Sequence, residues 1–222
     1  MKSSPGSLLI SLGALVLSYA GIRVGCLPDP FAGAGIPLEI VFNELLAKNQ
    51  GPAYAACRMF PNKNSQPGQP RITGHVLFKQ LDPKSGVEGY FNLQGFPSSS
   101  IKHPMHVHEL GSVWDSCEST GKHYNPFNTN HPNHPGDFNN FEVTGGKIVK
   151  RLTGLKVTLF GINSILSRGV VLHNGVDDLG QGGDSGSLQD GNSGRPIACC
   201  VIRVNLIVKH MHLLLEIYPF AD

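Results

Sequence analysis

Residues 72–93 read ITGHVLFKQLDPKSGVEGYFNL. Two strand-like runs, 72–81 and 87–93, flank the segment Asp82-Pro83-Lys84-Ser85-Gly86. Asp, Pro, Ser and Gly are the residue types that favour turns, so this segment predicts a β-hairpin. The hairpin favours an all-β fold for this part of the chain.

The composition of the whole chain supports an all-β fold. The 222 residues include 18 Lys or Arg and 16 Asp or Glu, a charged fraction of 15%, and 40% of the residues are hydrophobic. This balance argues against disorder, and the 27 Gly and 16 Pro predict many turns. A net charge of +2 without a long basic run gives no reason to expect nucleic acid as a partner.

Other segments extend this pattern along the chain. Three more strand candidates follow the hairpin, at 156–160, 169–173 and 198–208. Residues 98–140 are rich in Pro, Asn, His and Gly and predict long loops around a short strand. The Gly-rich segment 175–194 predicts a long loop, either ordered or flexible, and 61–70 reads as a linker.

The N-terminus has the features of a secretory signal peptide. Residues 7–20 are uncharged and lie between Lys2 and Arg23, and Ser18-Tyr19-Ala20 places small residues where a signal peptidase cleaves. We therefore expect a leader over 1–20, with cleavage as late as residue 26. Its apolar core is shorter than the ~20 residues that span a bilayer, although an uncleaved anchor is the alternative.

Secretion into an oxidising compartment implies that the cysteines form disulfides. Cys57, Cys117, Cys199 and Cys200 are the candidates, and Cys26 is left over. Adjacent residues of a strand face opposite sides, so Cys199 and Cys200 should bond two separate partners. The residues alone leave open which partner each of them takes.

Residues 37–47 predict an amphipathic helix near the N-terminus. Their apolar side chains recur at steps of three and four residues, at Leu38, Val41, Phe42, Leu45 and Leu46. The apolar face of this helix needs a partner, which is either the domain itself or another subunit.

Potential metal ligands are concentrated between residues 106 and 173. They are His106, His108, His123, His131, His134, Asp137 and His173. The spacing of His106 and His108 places both rings on one face of a strand, and imidazole suits copper and zinc. His131, His134 and Asp137 follow one another at three-residue steps in a turning loop that can surround a tetrahedral ion. The sequence therefore predicts two metal ions, and we take His75, His103, His210 and His212 as ordinary histidines.

Several motifs in order closely resemble copper/zinc superoxide dismutase. They are MHVHELG (105–111), CESTGKHYNP (117–126), HPNHPGD (131–137), VLHNGVDDLG (171–180) and GNSG (191–194), followed by Ala198-Cys199. The similarity extends from residue 71 to residue 202. Cys57, the Cys199-Cys200 pair, the leader and the short 131–137 loop resemble the secreted, extracellular branch of that family.

The resemblance implies the fold and the residues of the site. The fold would be an eight-stranded Greek-key β-barrel or sandwich with long metal-binding and electrostatic loops. Copper would be bound by His106, His108, His123 and His173, and zinc by His123, His131, His134 and Asp137. His123 would bridge both ions and act in catalysis. Asp177 would accept hydrogen bonds from His106 and His131, and the disulfides would be Cys117–Cys199 and Cys57–Cys200.

The implied activity is conversion of superoxide to dioxygen and hydrogen peroxide by Cu(II)/Cu(I) cycling. The chain departs from the family at the substrate channel, where Pro196 stands in the position of an arginine and Arg195 lies one residue earlier. Asp190 replaces a neutral residue, and Gln189 stands where many members have a steering lysine. We therefore expect a reduced rate. The alternative is a catalytically weak extracellular copper- and zinc-binding protein on the same scaffold.

The expected organisation and partners follow from these features. The segments are a signal peptide (1–20), a helical oligomerisation segment (27–60), the superoxide dismutase domain (61–202) and a divergent tail (203–222). We expect a homo-oligomer, either a dimer or a tetramer, and no nucleic acid or membrane partner. Only Arg203 and Lys209 are fixed cations in the tail, so heparin binding is not supported.

Overall fold

The computed structural model describes residues 52–65 and 68–204. Within them the chain forms nine strands, one short α-helix and a 3₁₀ turn at Cys117–Thr120. The strands are β1 (Ala53–Pro61), β2 (Thr73–Gln80), β3 (Val87–Gln94), β4 (Lys102–His108), β5 (Asp137–Glu142), β6 (Lys147–Leu155), β7 (Gly169–His173), β8 (Pro196–Val201) and β9 (Arg203–Val204). The helix, α1, spans Ser185–Asp190.

The strands form one antiparallel sheet that closes almost completely into a barrel. Their order is β5-β4-β7-β8-β1-β2-β3-β6, and the short β9 pairs with β1. The connections from β3 to β4 and from β6 to β7 join strands that are not neighbours, as in a Greek key. The expected all-β, eight-stranded architecture is confirmed, and none of the described helices is long and apolar enough to cross a membrane.

The hairpin predicted from residues 72–93 is confirmed. β2 pairs antiparallel with β3, from Thr73 opposite Gln94 to Lys79 opposite Glu88. The Asp82 carboxylate closes the turn by accepting hydrogen bonds from the backbone amides of Lys84 (2.8 Å) and Ser85 (3.0 Å). A short side chain that bonds the backbone two or three residues on is what favours Asp in turns.

Alternate residues of these strands form the barrel core. Val76 and Phe78 of β2 and Phe91 of β3 are fully buried. The Phe91 ring packs 5.5 Å from Phe138 and 4.7 Å from Phe141, centroid to centroid. Burying a side chain of this size contributes about 1.5–3 kcal/mol, so the core provides the rigid support on which the loops rest.

The structure corrects two of the expected boundaries. Residues 53–60 were expected in the helical segment but form β1, so the barrel begins at Ala53 and not at residue 61. Residues 156–160 were expected to form a strand. The strand of this region, β6, instead ends at Leu155, and residues 156–160 contribute only a bridge from Thr158 to Ser164. β6 is mostly exposed and lacks a buried alternation, which is why its sequence gives no strand signal.

The two long segments predicted as loops surround short regular elements. Residues 98–140 contain β4 and the start of β5. Residues 175–194 are held in an ordered loop, in which Asp184 caps α1 by accepting from the Ser187 amide (2.8 Å). Asp178 accepts from Asn192 Nδ2 (2.8 Å) and thereby joins the two ends of this loop. The predicted leader, the 37–47 helix and the tail beyond residue 204 lie outside the described residues.

One disulfide joins two strands of the barrel, and a second joins the barrel to a loop. Cys57 of β1 bonds Cys200 of β8, and Cys117 of the 3₁₀ turn bonds Cys199 of β8. Cys199 and Cys200 thus have separate partners, and the pairs are those that the resemblance implies. The second bond fastens the 109–123 loop, which carries His123 at its end, to a central strand.

Candidate metal centre

Strand alternation places two histidines on the outer face of β4. Met105 and Val107 point into the core, and His106 and His108 point the other way and are buried under the loops. β7 pairs with β4, Met105 opposite Leu172, which brings His173 at the end of β7 beside them. His123 joins β4 through a bridge to His108. Three chain segments that are distant in sequence therefore converge on one point.

Four of these histidines form a compact group. The ring nitrogens that they can offer to an ion lie within 4.8 Å of one another in the set His106, His108, His123 and His173. His108 Nε2 and His173 Nε2 are 3.2 Å apart. Their Nδ1 atoms face the carbonyl oxygens of Gly121 (2.9 Å) and Gly194 (3.0 Å).

The backbone contacts determine what the two Nε2 atoms present. A carbonyl oxygen only accepts hydrogen bonds, so each Nδ1 carries the ring hydrogen. In the neutral ring, each Nε2 then has an unprotonated lone pair. The Nε2 atoms of His108 and His173 therefore cannot bond each other. A cation between them would satisfy both, and the donor set fits a metal ion.

A second group surrounds the carboxylate of Asp137. Its oxygens lie 3.1 Å from His123 Nδ1, 2.9 Å from His131 Nδ1 and 3.0 Å from His134 Nδ1. His134 Nε2 faces the carbonyl oxygen of Thr129 (3.1 Å). In the neutral ring, the Nδ1 of His134 therefore has a lone pair, which points toward the Asp137 carboxylate. The Nδ1 atoms of His131 and His134 are buried, and neither has a hydrogen-bond partner among the described residues. Four acceptors around one point likewise fit a cation.

His123 belongs to both groups. Its Nδ1 faces Asp137, and its buried Nε2 has no hydrogen-bond partner among the described residues. Its ring lies 4.1 Å from that of His106 and 5.5 Å from that of His131. One imidazole thus presents its two nitrogens to two adjacent positions.

Asp177 connects the two groups from behind. Its Oδ2 lies 2.9 Å from His106 Nε2, and its Oδ1 lies 2.8 Å from His131 Nε2. Asn140 fixes its backbone from both sides, by accepting from the Asp177 amide (3.0 Å) and donating to the Asp177 carbonyl (2.9 Å). A carboxylate that accepts from both rings leaves the Nδ1 atoms of His106 and His131 free for an ion.

Gly191 permits its loop to pack closely against Asp177 and His131. Its φ is +68°, and a Cβ there would lie 2.0 Å from Asp177 Oδ1 and 2.6 Å from His131 Nε2. Any other residue would displace the carboxylate. Asn140 and Gly191 were not predicted as site residues, because their roles depend on contacts across the fold.

Burial keeps three histidines of the first group neutral, namely His106, His108 and His173. It lowers the pKa of His106 to about 3, against the hydrogen bond to Asp177, and the pKa of His173 to about 4. The pKa of His108 is also well below its ordinary value because of burial. Neutral imidazole is the form that binds a metal.

The second group behaves in the opposite way because it contains carboxylates. Burial lowers the pKa of His131, but the close carboxylates of Asp137 and Asp177 outweigh it and raise this pKa to about 9. Burial raises the pKa of Asp137 and Asp177, yet their histidine partners hold both values below the ordinary one. Both carboxylates are therefore ionised at neutral pH.

A family profile described as copper/zinc superoxide dismutase matches residues 72–202, well over half of the chain. The chain belongs to the copper/zinc superoxide dismutase family. The match spans the barrel from β2 to β8 and includes every residue of the two groups.

Individual superoxide dismutases show the same relationship. The extracellular superoxide dismutase [Cu-Zn] of Rattus norvegicus is 52% identical over 151 residues, which cover 67% of this chain and 62% of the rat protein. The human protein of the same name is 46% identical over 158 residues, covering 70% and 66%. The Schizosaccharomyces pombe superoxide dismutase [Cu-Zn] is 36% identical over 144 residues, covering 62% and 93%. The chain thus spans less than two thirds of the two mammalian relatives.

In this member of the superoxide dismutase family, a mouth of about 490 Å³ opens over the first group. His108, His123 and His173 lie among its lining residues, together with Asp190 and Lys122. Lys122 is the single Lys or Arg among the described residues that line it. Lys122 was not predicted as a site residue, although its position next to His123 was a usable signal.

Arg195 and Pro196, the other two residues predicted at the substrate channel, are not among the described residues that line the mouth. Arg195 is exposed. Its backbone is fixed by Asn174, whose Oδ1 accepts from the Arg195 amide at 2.8 Å. Pro196 pairs with His173 at a register shift between β7 and β8.

Proposed function

We propose that this protein is a secreted superoxide dismutase that converts superoxide to dioxygen and hydrogen peroxide. The observation that carries the proposal is the shared imidazole of His123, with one nitrogen in a group of four histidines and the other beside Asp137. Family membership and the similarity to enzymes of that name support the same reaction.

The donor atoms favour copper in the first group and zinc in the second. Four imidazoles, from His106, His108, His123 and His173, are ligands that suit copper. Three imidazoles and a carboxylate, from His123, His131, His134 and Asp137, make a tetrahedral set typical of zinc. By distance, His106 also falls near the second group. Its Nε2 is engaged by Asp177, so it has one nitrogen free for one ion. We assign this nitrogen to the first group, beside His108 on the same face of β4, and His134 to the second group.

When bound, copper supplies the one-electron oxidation and reduction that turn two superoxide anions and two protons into dioxygen and hydrogen peroxide. Zinc has no redox chemistry, so the residues around it have a positioning role. Asp137 and the second group hold the His123 ring by its Nδ1 side. The Nε2 of His123 faces the first group and can hold a proton destined for the peroxide product. His123 is therefore the residue to which we assign proton transfer.

The remaining contacts orient the ligands. The carbonyls of Gly121 and Gly194 fix the tautomers of His108 and His173, and Asp177 fixes those of His106 and His131. Because these partners are backbone atoms or a buried carboxylate, the ring orientations are set before any ion arrives. Each hydrogen bond that a ring donates to one of these acceptors also raises the basicity of its ligating nitrogen.

We infer that turnover is slower than in the fastest members of the family. Superoxide is an anion, and positive charge near the mouth accelerates its capture. Arg195 does not line the mouth, Pro196 carries no charge, and Asp190 adds a carboxylate to the lining. We expect a rate about one to two orders of magnitude below the family maximum, as for loss of a focusing charge.

The reduced positive charge at the substrate channel also favours a second candidate function. A protein with these ligands but negligible turnover would serve as an extracellular copper- and zinc-binding protein. The two functions differ in a single observable, the rate of superoxide removal per bound copper.

We place the protein outside the cell and in a homo-oligomer. The leader over residues 1–20 and the naming of the mammalian relatives as extracellular support the location. The amphipathic pattern at 37–47 supports association into a dimer or tetramer. Deletion of that segment should shift the mass measured by light scattering to that of a monomer, and an unchanged mass would exclude this segment as the contact.

The test of the activity is a stopped-flow superoxide assay on protein whose copper and zinc contents have been measured. We expect catalysed decay that is first-order in superoxide, with a rate that scales with bound copper, and no catalysed decay in protein loaded with zinc alone. Copper-loaded protein that removes superoxide no faster than the zinc-only control would contradict the enzyme and leave the metal-binding function.

A further inference from the structure

Thr120, the last residue of the 3₁₀ turn, contacts a ligand of the first group. Its side chain is fully buried, and its Oγ1 lies 3.2 Å from His108 Nδ1. Thr120 is not one of the seven ligand residues, and it is not among the described residues that line the mouth. The hydroxyl group therefore contacts the ring of His108 from behind, at the nitrogen that does not face His173.

The direction of these hydrogen bonds follows from the partners of the hydroxyl group. Thr120 Oγ1 lies 2.6 Å from the carbonyl oxygen of Cys117, which only accepts, so the hydroxyl hydrogen points to Cys117. The hydroxyl oxygen then accepts from His108 Nδ1, which also donates to the carbonyl oxygen of Gly121 (2.9 Å). A continuous chain of hydrogen bonds thus runs from the ligand ring through Thr120 to the backbone of Cys117.

The far end of this chain is fixed on both sides of Cys117. The Cys117 amide donates to Oδ1 of the buried Asn62 (3.1 Å), and Asn62 Nδ2 donates to the carbonyl oxygen of Pro196 in β8 (3.0 Å). The Cys117 side chain is bonded to Cys199 of the same strand. The carbonyl group that accepts the hydroxyl hydrogen is therefore held to the barrel at two points, and the hydroxyl oxygen is fixed with it.

Packing against β7 determines which branch of the Thr120 side chain faces the ring. Gly169 lies opposite His108 in the pairing of β4 with β7. A Cβ on Gly169 would lie 2.9 Å from Thr120 Cγ2, so the methyl group occupies the space next to this glycine. With the methyl group held there, the hydroxyl group faces His108. The fold therefore sets the orientation of the hydroxyl group before any ion binds.

We propose that Thr120 is a positioning residue for copper, which holds the ring of His108 through its Nδ1 hydrogen. The inference rests on the proposed function, because it concerns the copper ligands. Gly121 by itself fixes the tautomer of the ring. The hydroxyl group is a second acceptor, which restrains the rotation of the ring and raises the basicity of His108 Nε2, the ligating nitrogen.

Two pairs of side chains isolate the hydroxyl group. T120V replaces it by a methyl group at nearly constant volume, and T120S differs from T120A in the hydroxyl oxygen alone. Copper affinity is measured by competition with a chromogenic chelator, on full-length protein whose second group holds zinc. We expect T120V to bind copper about tenfold more weakly than the parent, and T120A about tenfold more weakly than T120S. If T120V does not fold, the pair of T120S and T120A decides.

Two further readouts separate positioning from general support of the fold. His108 does not belong to the second group, so the zinc affinity of that group should be the same in the parent and in all variants. The EPR spectrum of bound Cu(II) depends on the arrangement of the ligating rings, so it should change in T120V and T120A and keep its parent form in T120S. S119A is the matched control. It removes a hydroxyl group of the same turn that faces the Ser116 hydroxyl (3.4 Å), and it should leave both readouts unchanged.

Two results would overturn the proposal. One is equal copper affinity within both pairs, and the other is a loss that affects copper and zinc alike, because the hydroxyl group would then only support the fold. In either case the parent still binds copper, so the proposed function stands. A parent protein that binds no copper in this assay would contradict the proposed function, and this inference with it.

Discussion

His108 Nε2 and His173 Nε2 face each other at 3.2 Å, and the other nitrogen of each ring is hydrogen-bonded to a backbone carbonyl. Two lone pairs held this close are unfavourable unless an ion lies between them. A cation between the two nitrogens would relieve this repulsion, so metal binding should stabilise the folded chain.

Metal removal should lower the stability of the protein substantially. Ions that bind only the folded state contribute about 4 kcal/mol when present at a thousand times their dissociation constant. For a domain of this size, the melting temperature should fall by about 8–16 °C after chelation. Scanning calorimetry before and after chelation measures the change, and restoring copper and zinc together should reverse it. A melting temperature that chelation leaves unchanged would mean that these residues do not hold an ion.

Asp177→Asn should impair metal binding without touching a ligand. The amide can accept from one histidine at most, so His106 or His131 loses its fixed orientation. We expect metal affinity to fall about 10–100-fold, measured by competition with a chromogenic chelator. Asp115→Asn, a change of the same type at an exposed site, is the control, and equal behaviour of the two variants would refute the role of Asp177.

The metal-free protein should be most stable near pH 6.5. The pKa values of His106 and His173 are lowered to about 3 and about 4, so the unfolded chain takes up protons first as pH falls below 6.5. Stability is therefore lost on the acid side between 6.5 and about 3. The pKa of His131 is raised to about 9, so its contribution is complete below 6.5 and lost as pH rises through 9.

Urea midpoints of the chelated protein between pH 4 and pH 10 measure this profile. In metal-loaded protein the same histidines are ligated, so we expect a flatter curve. A midpoint of the chelated protein that rises steadily toward pH 4 would show that the histidines are not buried as neutral rings.

Lys122→Gln should slow the enzyme at low ionic strength. Lys122 is the one fixed cation among the described residues of the mouth, so its removal lowers the local concentration of anionic substrate. We expect the superoxide rate constant to drop about two- to fivefold at 10 mM salt and to converge with that of the parent at high salt, where charges are screened. Lys147→Gln, at an exposed site on β6, serves as the control, and a drop that persists at high salt would point to a structural effect.

Much of the metal centre was predictable because its ligands obey local rules. The i, i+2 spacing of His106 and His108 and the three-residue steps of 131–137 are properties of a strand and a turn. The position of His173 beside them was not, because it depends on the pairing of β7 with β4. Asp177 was predicted as a site residue only from the family resemblance. A carboxylate that contacts histidines 71 and 46 residues away leaves no local signal in the sequence.

Strands with one buried face were predictable from the sequence. Strands without a clear buried face were not. β2 and β3 alternate, and their hairpin was found. β6 exposes most of its residues, and β1 carries Ala and Phe on its outward face beside Ala and Met on its inward face. In both strands the contrast between faces is too weak to read from composition, and pairing with neighbours decides the structure.

The measurement that tests the account most directly is anomalous diffraction from crystals of the copper- and zinc-loaded protein, recorded at both absorption edges. We expect one copper peak next to His123 Nε2, among His106, His108 and His173, and one zinc peak next to His123 Nδ1, beside Asp137. A single peak, or two ions of which either lies away from the His123 ring, would contradict the shared-imidazole centre and the function built on it.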